Sequence, residues 1–209
     1  EKENSLTIVK VEKQNTAQKG KISVRKTGDI FTSVTTASSA YTNENGEMIV
    51  NPTTYTPVFA DGDLSGTVFQ VIAVEDIVTL DGTVHANAGD VVAEITTDEN
   101  GYAETDLLYL SKYEIKEVQA PYGYVRNSES QFVELTYAGQ EIAVRDTVNA
   151  SFVNDYQSVE ISLSKVMEND ELFGIGNNNE YLSVRFGLFA AEDIQAADGT
   201  VIPADGLIS

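Results

Sequence analysis

Along this chain, hydrophobic and polar positions alternate in short runs, and Gly, Asn and Asp separate the runs. Alternation with period two over four to eight residues marks a half-buried β-strand. Candidate strands are Leu6–Val11, Lys21–Lys26, Thr67–Val74, Val91–Thr96, Ala103–Leu108, Tyr113–Val118, Phe132–Thr136, Glu141–Asp146 and Val159–Lys165. No segment carries a helical period. Asp98-Glu99-Asn100-Gly101 has the chemistry of a hairpin turn. Many short strands with regular turn signals predict an all-β, Ig-like antiparallel sandwich.

Three polar residues break the pattern by falling on its apolar side. Alternation groups Ile22, Val24 and Lys26; Tyr113, Ile115 and Glu117; and Ala150, Phe152 and Asn154. Strand side chains point to opposite faces in turn, so Lys26, Glu117 and Asn154 are expected to face a core. Burying an amine, a carboxyl and an amide is costly unless they satisfy one another. Two arrangements meet that demand. One is a buried Lys26–Glu117 ion pair with Asn154 hydrogen-bonded beside it. The other is an internal amide cross-link, for which these groups are the components. Asn149 is a rival acceptor, but its parity groups it with Ser151. Asp146 is a rival acid.

The chain repeats itself. Phe69-Gln-Val-Ile-Ala-Val-Glu-Asp-Ile77 recurs as Phe186-Gly-Leu-Phe-Ala-Ala-Glu-Asp-Ile194, and both continue without a gap to Asp-Gly-Thr-Val, at Asp81–Val84 and Asp198–Val201. Asn15 precedes Lys26 by the spacing that separates Asn154 from Lys165. A tandem array accounts for this: residues 1–17 as the last strand of a preceding unit, 18–156 as one complete unit, and 157–209 as the first part of the next. Asn15 and Lys165 are then partial sites of neighbouring units, expected to be unreacted. The complete unit carries extra residues within Ile30–Tyr55, rich in Ser and Thr, which read as a spacer, a decorated hairpin or a binding loop.

Composition narrows the function. The 209 residues hold 33 acidic and 13 basic side chains, a formal net charge of −20. That argues against nucleic acid and anionic membrane as partners. There is no cysteine, which removes disulfides, thiol catalysis and zinc-thiolate sites. No apolar run is long enough for membrane insertion. Asp61-Gly62-Asp63 and Asp98-Glu99-Asn100 lack the spacing of a complete calcium loop, so no metal is expected. The single histidine, His85, reads as a surface residue. Neither a Ser-His-Asp set nor a glycine-rich phosphate loop is present, so the chain does not read as a turnover enzyme and implies no cofactor.

Taken together, several motifs resemble the Cna protein B-type domains, also called SpaA-like or prealbumin-like, of Gram-positive pilins and surface adhesins. They are Gly20-Lys-Ile-Ser-Val-Arg-Lys26, Gly66-Thr-Val-Phe69 (with Thr67 in place of the usual Ala), Thr97-Asp-Glu-Asn-Gly101, Tyr113-Glu-Ile-Lys-Glu-Val-Gln-Ala-Pro-Tyr-Gly-Tyr124 and Phe152-Val-Asn154. The resemblance covers residues 20–155 and restarts at 159. It implies a prealbumin-like sandwich with a spontaneous Lys–Asn isopeptide bond: Lys26 as nucleophile, Asn154 as acceptor and Glu117 as catalytic acid/base.

The residue types suit that chemistry. An amine attacks only when neutral, and exposed lysine titrates near ~10.4. Burial disfavours the charged forms of amine and carboxyl alike, so both become neutral in a dry core. The resemblance further implies an extracellular, cell-wall-anchored stalk or pilus-shaft repeat. Its partners would be adjacent repeats and sortase-linked pilin subunits. The alternative is an adhesin module that binds host matrix protein or glycan through residues 30–55.

Overall fold

The computed structural model describes residues 9–13, 15–145, 147–166, 172–174 and 184–209. The strands in chain order are β1 (Lys19–Gly20), β2 (Ile22–Ala37), β3 (Ala40–Thr42), β4 (Met48–Val50), β5 (Thr54–Asp63), β6 (Val68–Ala73), β7 (Ile77–Val78) and β8 (Val84–Ala86). They continue with β9 (Val91–Thr96), β10 (Tyr102–Glu104), β11 (Leu108–Tyr109), β12 (Lys112–Gln119), β13 (Gln131–Glu134), β14 (Val148–Asn154), β15 (Ile194–Gln195) and β16 (Val201–Ile202). The expected all-β class holds, with no helix among the described residues.

The chain divides into two compact units. The first comprises Glu1–Lys26, Leu64–Pro121 and Arg126–Phe152; the second comprises Thr27–Asp63, Tyr122–Val125 and Val153–Ser209. In the first, one sheet runs β10-β2-β14 and the other β13-β12-β6-β9. Their apolar positions share one core of Ile22, Val24, Phe69, Val71, Ile115 and Phe152, among others. Alternation gives each strand a single buried face: β6 reads intermediate-buried in turn, and β12 has Tyr113, Ile115 and Glu117 buried. The Tyr113 hydroxyl donates to the Tyr109 carbonyl at 2.6 Å, and burial pushes its pKa up to about 12. The turn at Asp98–Gly101 forms as read, with Asp98 N donating to Tyr102 O (2.8 Å) and Gly101 at φ 66°. It carries the chain from β9 in one sheet to β10 in the other.

In the second unit, the Ile30–Tyr55 insert is a hairpin arm. Residues Thr27–Ala37 of β2 pair antiparallel with β5 from Thr27↔Asp63 to Ala37↔Thr54, with a bulge between Phe31 and Ser33. A smaller hairpin, β3–β4, lies between them around Asn43–Gly46. Its Tyr41, Met48 and Val50 are exposed.

The internal repeat has a structural counterpart. In the hairpin of β7 and β8, Ala73 N donates to Asp90 O (2.9 Å), Gly89 N to Ala73 O (2.8 Å), and Ala88 N to Asp76 Oδ1 (2.8 Å). In the hairpin of β15 and β16, Ala190 N donates to Gly206 O (3.0 Å), Asp205 N to Ala190 O (2.9 Å), and Ala204 N to Asp193 Oδ1 (2.7 Å). The offset is 117 residues at Ala190 and 116 at Gly206, so the second hairpin is shorter by one. Asp205 there takes the left-handed φ of 60° that Gly89, at 90°, supplies in the first.

Three expected strands are not found. Leu6–Val11 lies partly outside the described residues, and Val9–Val11 are unpaired loop. Of Glu141–Asp146, Asp146 lies outside them, and the remainder makes only an isolated bridge, Val144 to Lys19. Val159–Lys165 alternates well but is exposed and not a strand. Alternation forms a strand only where a neighbour takes up its backbone N–H and C=O groups, and no described strand runs beside it.

Candidate functional site

Lys26 comes from one sheet and Glu117 from the other, and they meet inside the first unit. Lys26 sits on β2 beyond Ile22 and Val24, with its backbone fixed on both sides: Lys26 N donates to Gly101 O at 2.7 Å and Leu64 N to Lys26 O at 3.0 Å. Glu117 faces Phe69 across the β12–β6 ladder, immediately before a bulge in register. The Arg126 guanidinium donates to the Glu117 carbonyl at 3.1 Å and holds that bulge. Both side chains are 0 % exposed, and Lys26 Nζ lies 3.0 Å from Glu117 Oε2. The Phe152 ring centroid is 5.9 Å from the same Nζ, and Phe69 packs on Phe152 at 4.8 Å.

Desolvation dominates the electrostatics. It lowers the Lys26 pKa below that of a free lysine, although the hydrogen bond and charge of Glu117 pull the other way. The carboxylate partner therefore only partly compensates for the loss of water. The result is a buried amine biased toward its neutral, nucleophilic form.

Asn154 ends β14, whose burial alternates so that Ala150, Phe152 and Asn154 share the buried face. Asn154 itself is 2 % exposed, as its parity predicts. Asn149, the rival acceptor, is exposed and accepts a hydrogen bond from Ser23 Oγ. Asp146, the rival acid, lies outside the described residues. Asn15 and Lys165 are both exposed. Among the described residues no group of acidic and histidine side chains is placed to hold a metal. His85 is at the surface, where its ring stacks on Tyr109 at 4.0 Å.

Sequence reading missed the aromatic wall that Phe69 and Phe152 give the amine, and the clamp from Arg126. The first was available, because both rings share inward parity with the site. The second was not, since Arg126 reaches back to a backbone carbonyl from a loop.

Residues 59–148 match the family described as SpaA, a prealbumin-like fold domain. Among solved structures, the chain is similar to GBS52, the minor pilin of Streptococcus agalactiae. The identity is 16 % and the TM-score 0.38, over 72 % of this chain and 50 % of that one. It is also similar to BcpA, the major pilin subunit of Bacillus cereus, at 18 % identity and TM-score 0.36, over 67 % and 29 %. A third likeness is to the full-length major pilin SpaD of Corynebacterium diphtheriae, at 19 % and 0.39, over 66 % and 30 %. The chain thus spans half or less of the length of these pilins. No curated protein matches it. The all-β architecture agrees with the prealbumin-like fold of the family model that residues 59–148 match.

Proposed function

We propose that this chain is a stalk segment of a Gram-positive surface protein, locked by an autocatalytic isopeptide bond between Lys26 and Asn154. The observation that carries this reading is the Lys26–Glu117 pair, fully buried at 3.0 Å, with the amine biased toward neutrality. Asn154 lies two residues beyond Phe152 on the same buried strand face, and Phe152 borders the amine. In the reaction, Lys26 Nζ attacks Asn154 Cγ while Glu117, carrying a proton, donates to the amide oxygen and polarises it. The Cγ–Nδ2 bond breaks, Glu117 shuttles a proton from the attacking amine to the leaving nitrogen, and ammonia departs. Packed strands supply the proximity, an effect of about 7–11 kcal/mol in favourable cases. The step occurs once per molecule and does not turn over.

The bond would close a loop from the first long strand of the sandwich to the last. It would supply the covalent tie that a cysteine-free chain lacks. A stalk of tandem units, 1–17, 18–156 and 157–209, fits the two hairpins that share one hydrogen-bond frame. In this reading the chain sits on the cell wall and its partners are adjacent repeats and sortase-linked subunits. The second reading, an adhesin module for host matrix or glycan, is favoured by one observation: Tyr41, Met48 and Val50 are exposed at the arm's tip. A solid-phase binding screen with those three side chains replaced by Ser would show it.

Intact mass tests the first reading. The wild-type chain is expected to run about 17 Da light, one ammonia, and Glu117→Ala at full mass. Full mass in the wild type would end the cross-link reading and leave a buried ion pair.

A further inference from the structure

Two grooves in this chain share part of their lining by position, and one of them has an arm in it. In the second unit, a cavity of about 630 Å³ has Tyr156–Ser158 on one side and Ile194 and Ile202 on another. The arm forms the remaining wall, through Phe31, Pro57 and Phe59. Phe59 packs edge-on against Tyr156 at 5.2 Å, and Tyr124 stacks on the same Tyr156 at 4.4 Å while its hydroxyl donates to Asp29 O at 2.7 Å. Backbone bonds complete the seat. Ala197 N donates to Phe31 O (3.0 Å), Asp198 N to Thr32 O (3.1 Å), Val34 N to Thr200 Oγ1 (2.8 Å) and Tyr55 N to Leu207 O (2.8 Å).

In the first unit, a cavity of about 650 Å³ lies between residues 15–18 and the β7–β8 hairpin, with Ile77, Leu80 and His85 on its wall. The Asn15–Asn154 correspondence places Ala17 and Gln18 where Tyr156 and Gln157 stand. The hairpin offset places Ile77 where Ile194 stands, and strand pairing puts Ala86 at the position of Ile202, with His85 as the extra residue of the longer hairpin. Among the described residues the arm's wall has no counterpart here. Instead Val78, Leu80 and Val84 are left exposed. The cationic Lys19 lies 4.3 Å over Tyr109, which also lines this groove. The arm that would complement it, residues 27–63, carries five carboxylates and no Lys or Arg.

We infer that the groove beside Ile77–His85 is a docking seat for the hairpin arm of another copy of this unit, placed before it along the chain. Each arm then closes the groove of the next unit, and the insert is a repeated joint. The inference rests on the tandem reading but not on the isopeptide bond.

The test uses a lengthened chain in which a second copy of residues 18–153 replaces residues 1–14, so that Asn15–Gln18 of the groove are kept. Ser33→Cys is placed in the added copy and Leu80→Cys in the copy that follows. The chain has no other cysteine, so a short bis-maleimide reports this pair alone. The control is the original chain with Ser33→Cys and Ala197→Cys, the pair that the observed seat brings together. The expected result is similar internal cross-linking in both. Adding Phe31→Ser and Phe59→Ser to the first copy should lower cross-linking about tenfold or more, since buried aromatic anchors carry most of an interface. Cross-linking in the control but not in the lengthened chain overturns the inference. So does failure of the control, or indifference to the Phe substitutions. Ammonia loss, read in the same spectra, reports separately on the isopeptide bond.

Discussion

Two lysine–glutamate pairs, their lysines five residues apart along the chain, behave in opposite ways. Lys26–Glu117 is sealed in the core, whereas Lys21–Glu104 leaves 39 % and 28 % of its side chains exposed. Glu104 is further held by the Tyr102 hydroxyl at 2.9 Å, and Asn149 on β14 takes a bond from Ser23. The exposed neighbourhood therefore holds the same residue types, an amine, a carboxyl and an amide, that the proposed cross-link draws from the core. At Lys21 the hydrogen bond and charge of Glu104 outweigh a small desolvation and raise the amine's pKa; at Lys26 desolvation outweighs Glu117 and lowers it. Residue identity is shared, and burial decides the sign. A lysine held as a cation by water and carboxylate is no nucleophile, so the exposed pair stays an ion pair, and only the buried one has an amine suited to the proposed cross-link.

The largest test of that contrast removes each carboxylate in turn. Glu117→Ala should restore full mass and lose about 5 kcal/mol of unfolding free energy in urea, the chain-entropy value for closing a loop of this size. The unpaired buried lysine adds to the loss. Glu104→Ala should keep the missing ammonia and unfold near the wild-type midpoint. If Glu104→Ala also regained full mass, burial would not be what separates the pairs.

The next effect is kinetic. When unfolded chain is refolded at a series of pH values and quenched for mass analysis, the rate of bond formation should hold flat while the Lys26–Glu117 pair shares one proton, because the neutral amine beside the protonated acid carries that same proton. It should fall by about tenfold per pH unit once that proton is lost at alkaline pH. A rate that kept rising into the alkaline range would mean that Glu117 delivers no proton in the step.

The buried half of this comparison was legible in the sequence, and the exposed half was not. Lys26, Glu117 and Asn154 each sit in a run whose apolar neighbours fix the inward face, and one register choice buries all of them together. Lys21 and Glu104 meet through the pairing of β2 with β10, where Glu104 stands opposite Ser23. Register between strands some eighty residues apart leaves no local trace. The arm was obscure for a related reason. Thr27–Ala37 carries Gly28 and many hydroxyl residues, and it is strand because β5 pairs with it, not because one face is buried. Val159–Lys165 is the converse: good alternation, no neighbour, no strand.

The smallest effect is the sharpest check on sign. In Asn154→Ala the Lys26 amine stays unreacted, and its folded pKa lies below its unfolded one. Between those two values the unfolded chain binds more protons, so this group makes stability rise with pH toward about 10.5. Lys21 does the reverse. Its folded pKa is raised, so its contribution is full below the unfolded value and lost as pH climbs through the folded one. Adding Lys21→Met to Asn154→Ala should therefore remove only the downward, salt-screened component of the urea midpoint against pH and leave the rise intact. In the cross-linked wild type the rise should be missing altogether, because an amide nitrogen does not titrate. A wild-type chain that kept the rise would still hold a free amine at Lys26, and the two pairs would then differ only in their exposure to water.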